Sequence, residues 1–567
     1  MTTAKHVVPQ PELEKPHISR VGRLAFPMVL VLAGVILLAL FLSILRLNNG
    51  TFIYTMDDPY ISLALSDQVR HGNYGINAGL HAAPCSSILP PLLLVAASGT
   101  PIHPYFPLIL NCLATFATLV VIWRFLVHLR LAQDTFGWVA QAAAVLLMAV
   151  CFNLLGVVFT GLEHSLHIAA TAICIYGVTL FLDRGRMPAW LPAVIVICPL
   201  LRYEGLALSV GALLVLALRG RWRTAAGTLA LIVLFVGSFS VFLVSLKLPP
   251  LSSSILSKST VVAHGVGGGA GFLRSIFWNA MRMIFHRESM AFHPAGFVLF
   301  VIGVAAAVRC LRELPAKPWR WTSQGLMALL LVCLIGGQAA AGQFAGFYRY
   351  EDYALLGAAM MGIYLTQERI RSVLSNKRKR LTYSCATAVV LLAVCSVYIR
   401  WALKTPIAAN NIYEQQFQMH RFISDFYRGP VAVNDLGLTS YHNPNLVLDL
   451  GGLGSEEARL LMLNNANADA YREIVARYGI HLVIIFDEWF PHKIPASWVK
   501  VASMDQSREC VACAESEVQF YATDAFTASK LWPELQSFKR SLPPRVRLTI
   551  YNPQVDTVHE ATNLGSP

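Results

Sequence analysis

Two adjacent carboxylates, Asp57 and Asp58, directly follow the first long apolar run of this 567-residue chain and are themselves followed by Pro59 and Tyr60. A carboxylate just above a bilayer can take the proton of an acceptor hydroxyl while that oxygen attacks an electrophilic carbon, which is the work of a general base. Proline at position 59 keeps the preceding helix from continuing, and Ile61, Leu63, Leu65 and Val69 then form an amphipathic run suited to lying along the interface. The plainer alternative is a pair of helix-capping acids. Further ionisable sets stand far away in sequence: Glu163–His164 in V-F-T-G-L-E-H, Arg202 with Glu204 in L-R-Y-E-G-L, Lys258 in P-P-L-S-S-S-I-L-S-K-S with His264 beyond it, and Arg349, Tyr350, Glu351 and Asp352 in F-Y-R-Y-E-D-Y. Ionisable groups at a membrane edge are costly unless paired or solvated, so they point to a site, against the alternative that an Arg–Glu pair only locks two helices together. A departing phosphate needs a cation, and Arg349, Lys258 and Arg202 are the candidates in that order; snorkelling to phospholipid is the competing role. Asp57, Asp58, Glu204 and Glu351 could ligate a divalent cation by oxygen, although no spacing demands one.

The elements that must position these groups are membrane helices. Hydrophobic residues make up 55% of the chain and charged residues only 14%, against about a quarter charged in a soluble protein. Several runs approach or exceed the roughly 18 apolar residues that span a bilayer, which excludes a soluble enzyme. Expected spans fall at 24–45, 105–127, 138–157, 164–182, 188–201, 203–219, 226–246, 294–311, 323–341, 353–368 and 382–402, about eleven in all. The apolar stretch 87–98 is too short to cross and is expected to embed on one side.

The formal net charge of +13 resides largely in short connectors: Arg184 with Arg186, Arg219 with Arg221 and Arg223, and Lys377 through Arg380. That is the footprint of cytoplasmic loops rather than of a nucleic-acid surface. Eleven spans with residues 1–23 as a cytoplasmic tail put every such cluster inside. The opposite, non-cytoplasmic face then receives an outer loop over 48–87, a second over 247–293, and a region from 404 to 567, all attached to a transmembrane domain over 24–403. The candidate site residues all fall at that face.

In the C-terminal region, Pro430-V-A-V-N-D, Asn445-L-V-L-D-L and His481-L-V-I-I-F have the composition of short strands, with helical stretches at 456–465 and 468–478, so a small α/β domain is expected. Cysteines within apolar runs act as small hydrophobes. Cys510 and Cys513 lie instead in a polar C-V-A-C; a zinc site would need a second such pair, and a local disulfide suits an oxidising compartment better.

The motifs together resemble the GT-C superfamily of glycosyltransferases, most nearly the branch containing the actinobacterial cell-wall arabinofuranosyltransferases. M-D-D-P-Y-I-S-L-A-L from Met56, H-G-N-Y-G-I-N-A-G from His71 and the serine turn at Ser86 resemble that family's first outer loop. T-G-L-E from Thr160 matches a further motif; R-Y-E-G-L from Arg202 matches another with Tyr203 in place of proline; L-P-P-L-S-S-S-I-L-S-K from Leu248 resembles a third, altered around Pro249. Arg349–Tyr350 resembles the opening of a late span, and D-L-G-L-T-S-Y from Asp435 with V-L-D-L-G-G-L-G-S from Val447 resembles a pair in the family's soluble domain. The resemblance covers about residues 50–460. It implies a polyprenyl-phosphate-sugar donor, a glycan, lipid or protein acceptor, an outer-loop Asp base (Asp57 favoured, Asp58 supporting) and a donor-phosphate contact at Lys258. Tyr60, Glu163, His164, Arg202, Glu204, His264, Arg349, Tyr350 and Glu351 complete the expected donor and substrate site. A bacterial inner membrane, with the C-terminal domain periplasmic, is the expected location. Some superfamily members use a divalent cation and others none. A flippase for a lipid-linked sugar, or a non-catalytic envelope-assembly protein, is the alternative function.

Overall fold

The structure, a computed structural model, describes residues 20–258, 268–285, 292–315, 321–344, 346–506 and 508–552. Each expected span contains a helix. In chain order the helices of the membrane part are α1 (Arg20–Leu47), α2 (Asp58–Arg70), α3 (Leu89–Leu94), α4 (Phe106–His128), α5 (Thr135–Cys151), α6 (His164–Arg184), α7 (Leu191–Leu201), α8 (Gly205–Leu218), α9 (Trp222–Ser245), α10 (Ser253–Lys258), α11 (Gly268–Ile284), α12 (Pro294–Arg312), α13 (Ser323–Ala341), α14 (Asp352–Ser375), α15 (Arg380–Val394) and α16 (Ser396–Leu403).

They are not equal in reach. Among the described residues six helices are long and apolar enough to cross a bilayer (α1, α4, α6, α9, α12 and α13), and α15 with α16 makes a seventh if that pair, bent by 65°, is one span. The other expected spans fall short for identifiable reasons. α5, α7 and α8 have 17, 11 and 14 residues, below the roughly 20 a straight crossing needs. α14 has 24 residues, but its second half carries Glu368, Arg369 and Arg371. Eleven apolar segments therefore do not translate into eleven full-length crossings. The chain is nonetheless a multi-pass membrane protein. α6 is the most enclosed of the six long helices, whereas α1 and α9 turn apolar side chains such as Val31, Leu38, Val233 and Val241 outward. α11 was not foreseen in the loop over 247–293.

The arginine-bearing connectors gather at one end of the bundle. Arg380 pairs with Asp134, His128 Nε2 lies 2.8 Å from Asp183, Tyr364 donates to Asp183 at 2.7 Å, and Arg219 donates to Ser323 at 2.6 Å. Arg371 bonds the carbonyl of Leu129 and Arg309 that of Leu365. This is the end that the charge pattern assigns to the cytoplasm.

At the other end sits the C-terminal α/β domain, entered through α17 (Thr405–Glu414). Its six-stranded mixed sheet has the order β2-β1-β3-β5-β4-β6, from β1 (Val431–Val433), β2 (Val447–Asp449), β3 (Leu482–Ile485), β4 (Val499–Gln506), β5 (Glu517–Ala522) and β6 (Val546–Ile550). The first three are parallel, with Val431 aligned to both Val447 and Leu482; β5, β4 and β6 add antiparallel neighbours. β1, β2 and β3 are buried along their whole length, as expected of parallel strands covered on both faces.

The first outer loop is part of this domain's core. Ile53, Tyr54, Tyr60, Ile61, Leu63 and Ala64 share one apolar cluster with Val431, Val433, Ile484 and Phe520. The sequence expectation for α2 was a helix lying in headgroups. Protein covers it instead: Tyr60 and Leu63 face the domain, while Leu65 packs with Tyr74, Leu243 and Leu248. Asn77 completes the join by pairing with the edge strand β2, its side-chain amide donating to the Val447 carbonyl and accepting from the Val447 N–H, both at 2.9 Å. An otherwise unpaired strand edge is thereby satisfied.

Candidate active site

A cavity of about 380 Å³ opens where the outer loop, the helix ends and the C-terminal domain meet. Asp58, Glu163, His164, Arg202, Glu204, Arg349 and Tyr350 all line it, from four separate stretches of chain. Each arrives through a specific local device. Thr160 closes a 3₁₀ turn by donating to the Val157 carbonyl at 2.7 Å, and Gly161 follows with φ +67°. A Cβ on Gly161 would lie 2.7 Å from the Tyr54 ring, so glycine is needed twice over, for the left-handed turn and for the space. The turn delivers Glu163 and His164 to the N-terminus of α6. Arg202 is the extended residue (φ −154°) that breaks α7 from α8. Arg349 follows Phe347 and Tyr348, which adopt left-handed φ of 66° and 52°, an uncommon conformation for bulky residues and one concentrated at functional positions.

Two guanidiniums organise the wall. Arg202, buried, donates to Glu163 at 2.6 Å and to Glu204 at 2.7 Å. Arg349, also buried, donates to Asp58 at 3.2 Å, to the Tyr350 hydroxyl at 3.0 Å and to the Gly346 carbonyl at 2.7 Å. Tyr350 stands between them, its ring centroid 4.6 Å from the Arg349 guanidinium and 5.4 Å from that of Arg202, with the His164 ring 5.5 Å away. These are cation–π distances. Among the described residues the wall thus holds three carboxylates and two guanidiniums, lined otherwise by apolar groups such as Ile61, Leu162, Leu206, Leu251, Ile255 and Leu453.

The paired aspartates part company. Asp57 does not line the cavity. It is buried and turned toward the C-terminal domain, accepting hydrogen bonds from the N–H groups of Gly437 (2.6 Å) and Leu438 (2.8 Å). A Cβ on Gly437 would sit 2.1 Å from the Asp57 carbonyl oxygen, so only glycine permits the approach. Burial, and then the charge of Asp435, push the Asp57 pKa well above the ordinary carboxylate value. The two residues offered as a shared oxygen-ligand pair for a cation therefore face different partners.

Other expected site residues also lie elsewhere. Tyr60 is buried in an aromatic cluster with Tyr54 and Tyr441, and its hydroxyl accepts from the Tyr54 N–H at 3.2 Å. Glu351 is buried beside α16, where Tyr398 donates to it at 2.9 Å. Lys258 ends α10, whose Ser254 and Ile255 line the cavity; its side chain and all of His264 lie outside the described residues. Cys510 and Cys513 are disulfide-bonded to each other.

Sequence reasoning missed the contribution of Leu453 and the role of Asp449. Open α/β sheets gather ligands at the carboxyl ends of their strands, and here the carboxyl ends of β1 and β2 point at the membrane part. After β1 comes the turn that meets Asp57. After β2, Asp449 accepts from the N–H groups of Gly451 (2.8 Å) and Gly454 (2.7 Å), shaping the loop that carries Leu453 to the cavity. The signal was present in D-L-G-G-L-G, where an acid precedes three glycines.

Burial pushes the Asp449 carboxyl up to about 6, partly offset by those N–H groups. A raised acid pKa favours the protonated folded state, so this contribution is greatest below the unfolded value of about 4 and is lost as pH climbs through 6. Comparing thermal stability with Asp449→Asn, wild type should lose roughly 3 kcal/mol relative to the variant from well below pH ~4 to well above pH ~6, about 2 kcal/mol of it between the two.

A multi-pass helical bundle capped by an α/β domain, with an arginine-organised polar cavity at their junction, is the class that fold and site define. Residues 410–521 match a family described as a domain of unknown function, DUF8728. No curated protein matches the chain. Solved structures that align with it include the archaeal oligosaccharyltransferase AglB from Archaeoglobus fulgidus in complex with an inhibitory peptide and a dolichol-phosphate, at 10% identity and TM-score 0.39 over 82% of this chain and 70% of that one. The oligosaccharyltransferase of the same organism in the apo form aligns at 10% identity and TM-score 0.44, over 85% and 73%. Its complex with zinc and sulfate aligns at 11% and 0.41, over 92% and 74%.

Proposed function

We propose that this chain is a membrane glycosyltransferase of the GT-C kind, moving a sugar from a polyprenyl-phosphate donor to a glycan, lipid or protein acceptor on the non-cytoplasmic face of a bacterial inner membrane. The observation that carries the reading is the Asp58–Arg349 pair, 3.2 Å apart, inside a cavity that also presents Arg202 and His164. It supplies at one point the two groups that transfer from a lipid phosphate requires.

Asp58 is the base in this reading, in preference to Asp57, whose oxygens are both occupied by backbone N–H groups. Donor phosphate binds Arg349 and frees Asp58 from its ion pair. Asp58 then takes the acceptor proton as the acceptor oxygen bonds to the anomeric carbon, and the electron pair of the breaking carbon–oxygen bond leaves with the polyprenyl phosphate. The N-terminus of α6 at the wall also favours negative charge. The family resemblance assigns Lys258, the last residue of α10, as a further contact to the donor phosphate, and His264 to the donor site. Glu351 and Tyr60 act only by supporting neighbouring structure. In this reading the membrane domain is 24–403 and the outer domain 404–567, with the cavity at their seam.

Purified chain incubated with a panel of polyprenyl-phosphate sugars, arabinofuranose included, should release lipid phosphate with at least one of them and an acceptor. Binding of donor with movement across a bilayer, and no bond cleavage, would establish the transporter reading instead.

A further inference from the structure

Among the described residues one set of three metal-ligating side chains converges, and it lies outside the candidate cavity. Asp67 near the end of α2, His103 in the turn before α4, and His442 just past β1's connecting helix each offer an atom within 4.8 Å of the others. His103 Nδ1 lies 3.3 Å from one Asp67 oxygen and His442 Nε2 lies 3.5 Å from the other, each close to the ligand–ligand spacing of about 3.3 Å expected for bonds of about 2.0–2.1 Å.

The Ser66 hydroxyl lies 2.8 Å from the Leu63 carbonyl and 2.9 Å from His103 Nε2. With the proton on Nε2 and donated to Ser66, Nδ1 presents a lone pair on the side of the Asp67 carboxylate. Nδ1 and the Asp67 oxygen 3.3 Å away share either a proton or a metal cation. The Tyr441 hydroxyl, 3.1 Å from Nδ1, can donate there, but it adds no positive charge. A ligand imidazole whose second nitrogen is held by a neighbouring hydroxyl is how protein metal sites orient histidine. His442, at φ +56°, is held in the left-handed region with its ring stacked on Tyr441 at 3.9 Å. The solvent exposure of His442 leaves room for a water as fourth ligand.

We propose that Asp67, His103 and His442 form a zinc-class site that fastens the C-terminal domain to the outer loop. Two imidazoles and a carboxylate suit zinc and its borderline neighbours rather than calcium or magnesium. Asp67 lies nine residues beyond Asp58 on α2, about 14 Å along the helix axis, so the ion pins the far end of the helix whose near end enters the cavity. The site is distinct from the glycosyltransfer reading and stands or falls without it.

The test uses the full chain in lipid nanodiscs, stripped with chelator and titrated with zinc near neutral pH by calorimetry, with metal content checked by mass spectrometry. Wild type should bind one equivalent at this site and melt at a higher temperature with zinc than without. His442→Ala, a change at an exposed position, should weaken zinc binding about 100-fold or more and abolish the thermal shift, as should Asp67→Asn, while Asp58→Asn keeps both. No zinc bound by wild type, zinc retained at full affinity in His442→Ala, or zinc lost in Asp58→Asn instead, would each overturn the assignment.

Discussion

Asp58→Asn should lower the rate of the proposed sugar transfer about 10²–10⁴-fold, the usual contribution of a positioned general base, and should leave the protein folded with donor still bound. Asp58 lines the cavity, its side chain is about a third exposed, and its partner Arg349 is buried. Asparagine preserves the shape and the contact with Arg349 but cannot take a proton. Asp57→Asn behaves differently. Both of its oxygens accept backbone N–H groups, and an asparagine amide must turn one NH₂ toward one of those donors. The cost is about 1–3 kcal/mol and falls on the docking of the C-terminal domain, so proteolysis and thermal melting respond and transfer declines only with the intact fraction. Kinetics and melting measured together on both variants separate the roles. Equal melting curves with the larger rate loss at Asp57 would reverse them.

The second large effect is at Arg202. This buried guanidinium is shared by Glu163 and Glu204. Arg202→Met leaves two carboxylates facing each other without compensation and should cost about 3–5 kcal/mol, the range for removing one partner of a buried ion pair. Arg202→Lys is not a mild change, because a single ammonium cannot span both partners as the planar fork does. Adding Glu163→Gln and Glu204→Gln to Arg202→Met should recover most of the lost stability, since the orphaned charges are gone, yet not transfer. Denaturation of the single and triple variants checks the first half and donor turnover the second. A triple variant as active as wild type would make the whole cluster structural.

Much of this was legible in the residues because charge in a membrane protein is costly and therefore informative. Glu163, His164, Arg202, Glu204, Arg349 and Tyr350 drew notice as ionisable or polar groups at the ends of apolar runs, and all line one cavity. The three parallel strands lie within the stretches expected from their β-branched composition. The break at Arg202 falls between the expected spans 188–201 and 203–219, but span length was less legible, because hydropathy does not show that the two helices have only 11 and 14 residues. Antiparallel strands β4, β5 and β6 were not anticipated; their alternation is diluted by polar residues such as Lys500, Asp505, Gln519 and Arg547.

The roles of Asp57 and Asp58 were not separable from sequence. Adjacent residues at a helix start point in different directions, and what each meets depends on a turn some 380 positions later. Asn77 and the Asp67–His103–His442 set were missed for the same reason. Their partners lie in another domain, and neither their spacing nor their hydropathy announces the contact.

In the proposed function, the cavity at the seam of the two domains holds the phosphate end of a lipid donor. A polyprenyl phosphate carrying a photoreactive group beside its phosphate, cross-linked to the purified chain and mapped by peptide sequencing, tests it most directly. Labelling should fall on cavity-lining segments, around Leu206–Ala207, Leu251–Ile255 and Gly337–Ala341, and should drop when Arg349 is replaced by glutamine. Labelling confined to the outward faces of α1 or α9 and indifferent to Arg349 would contradict the account.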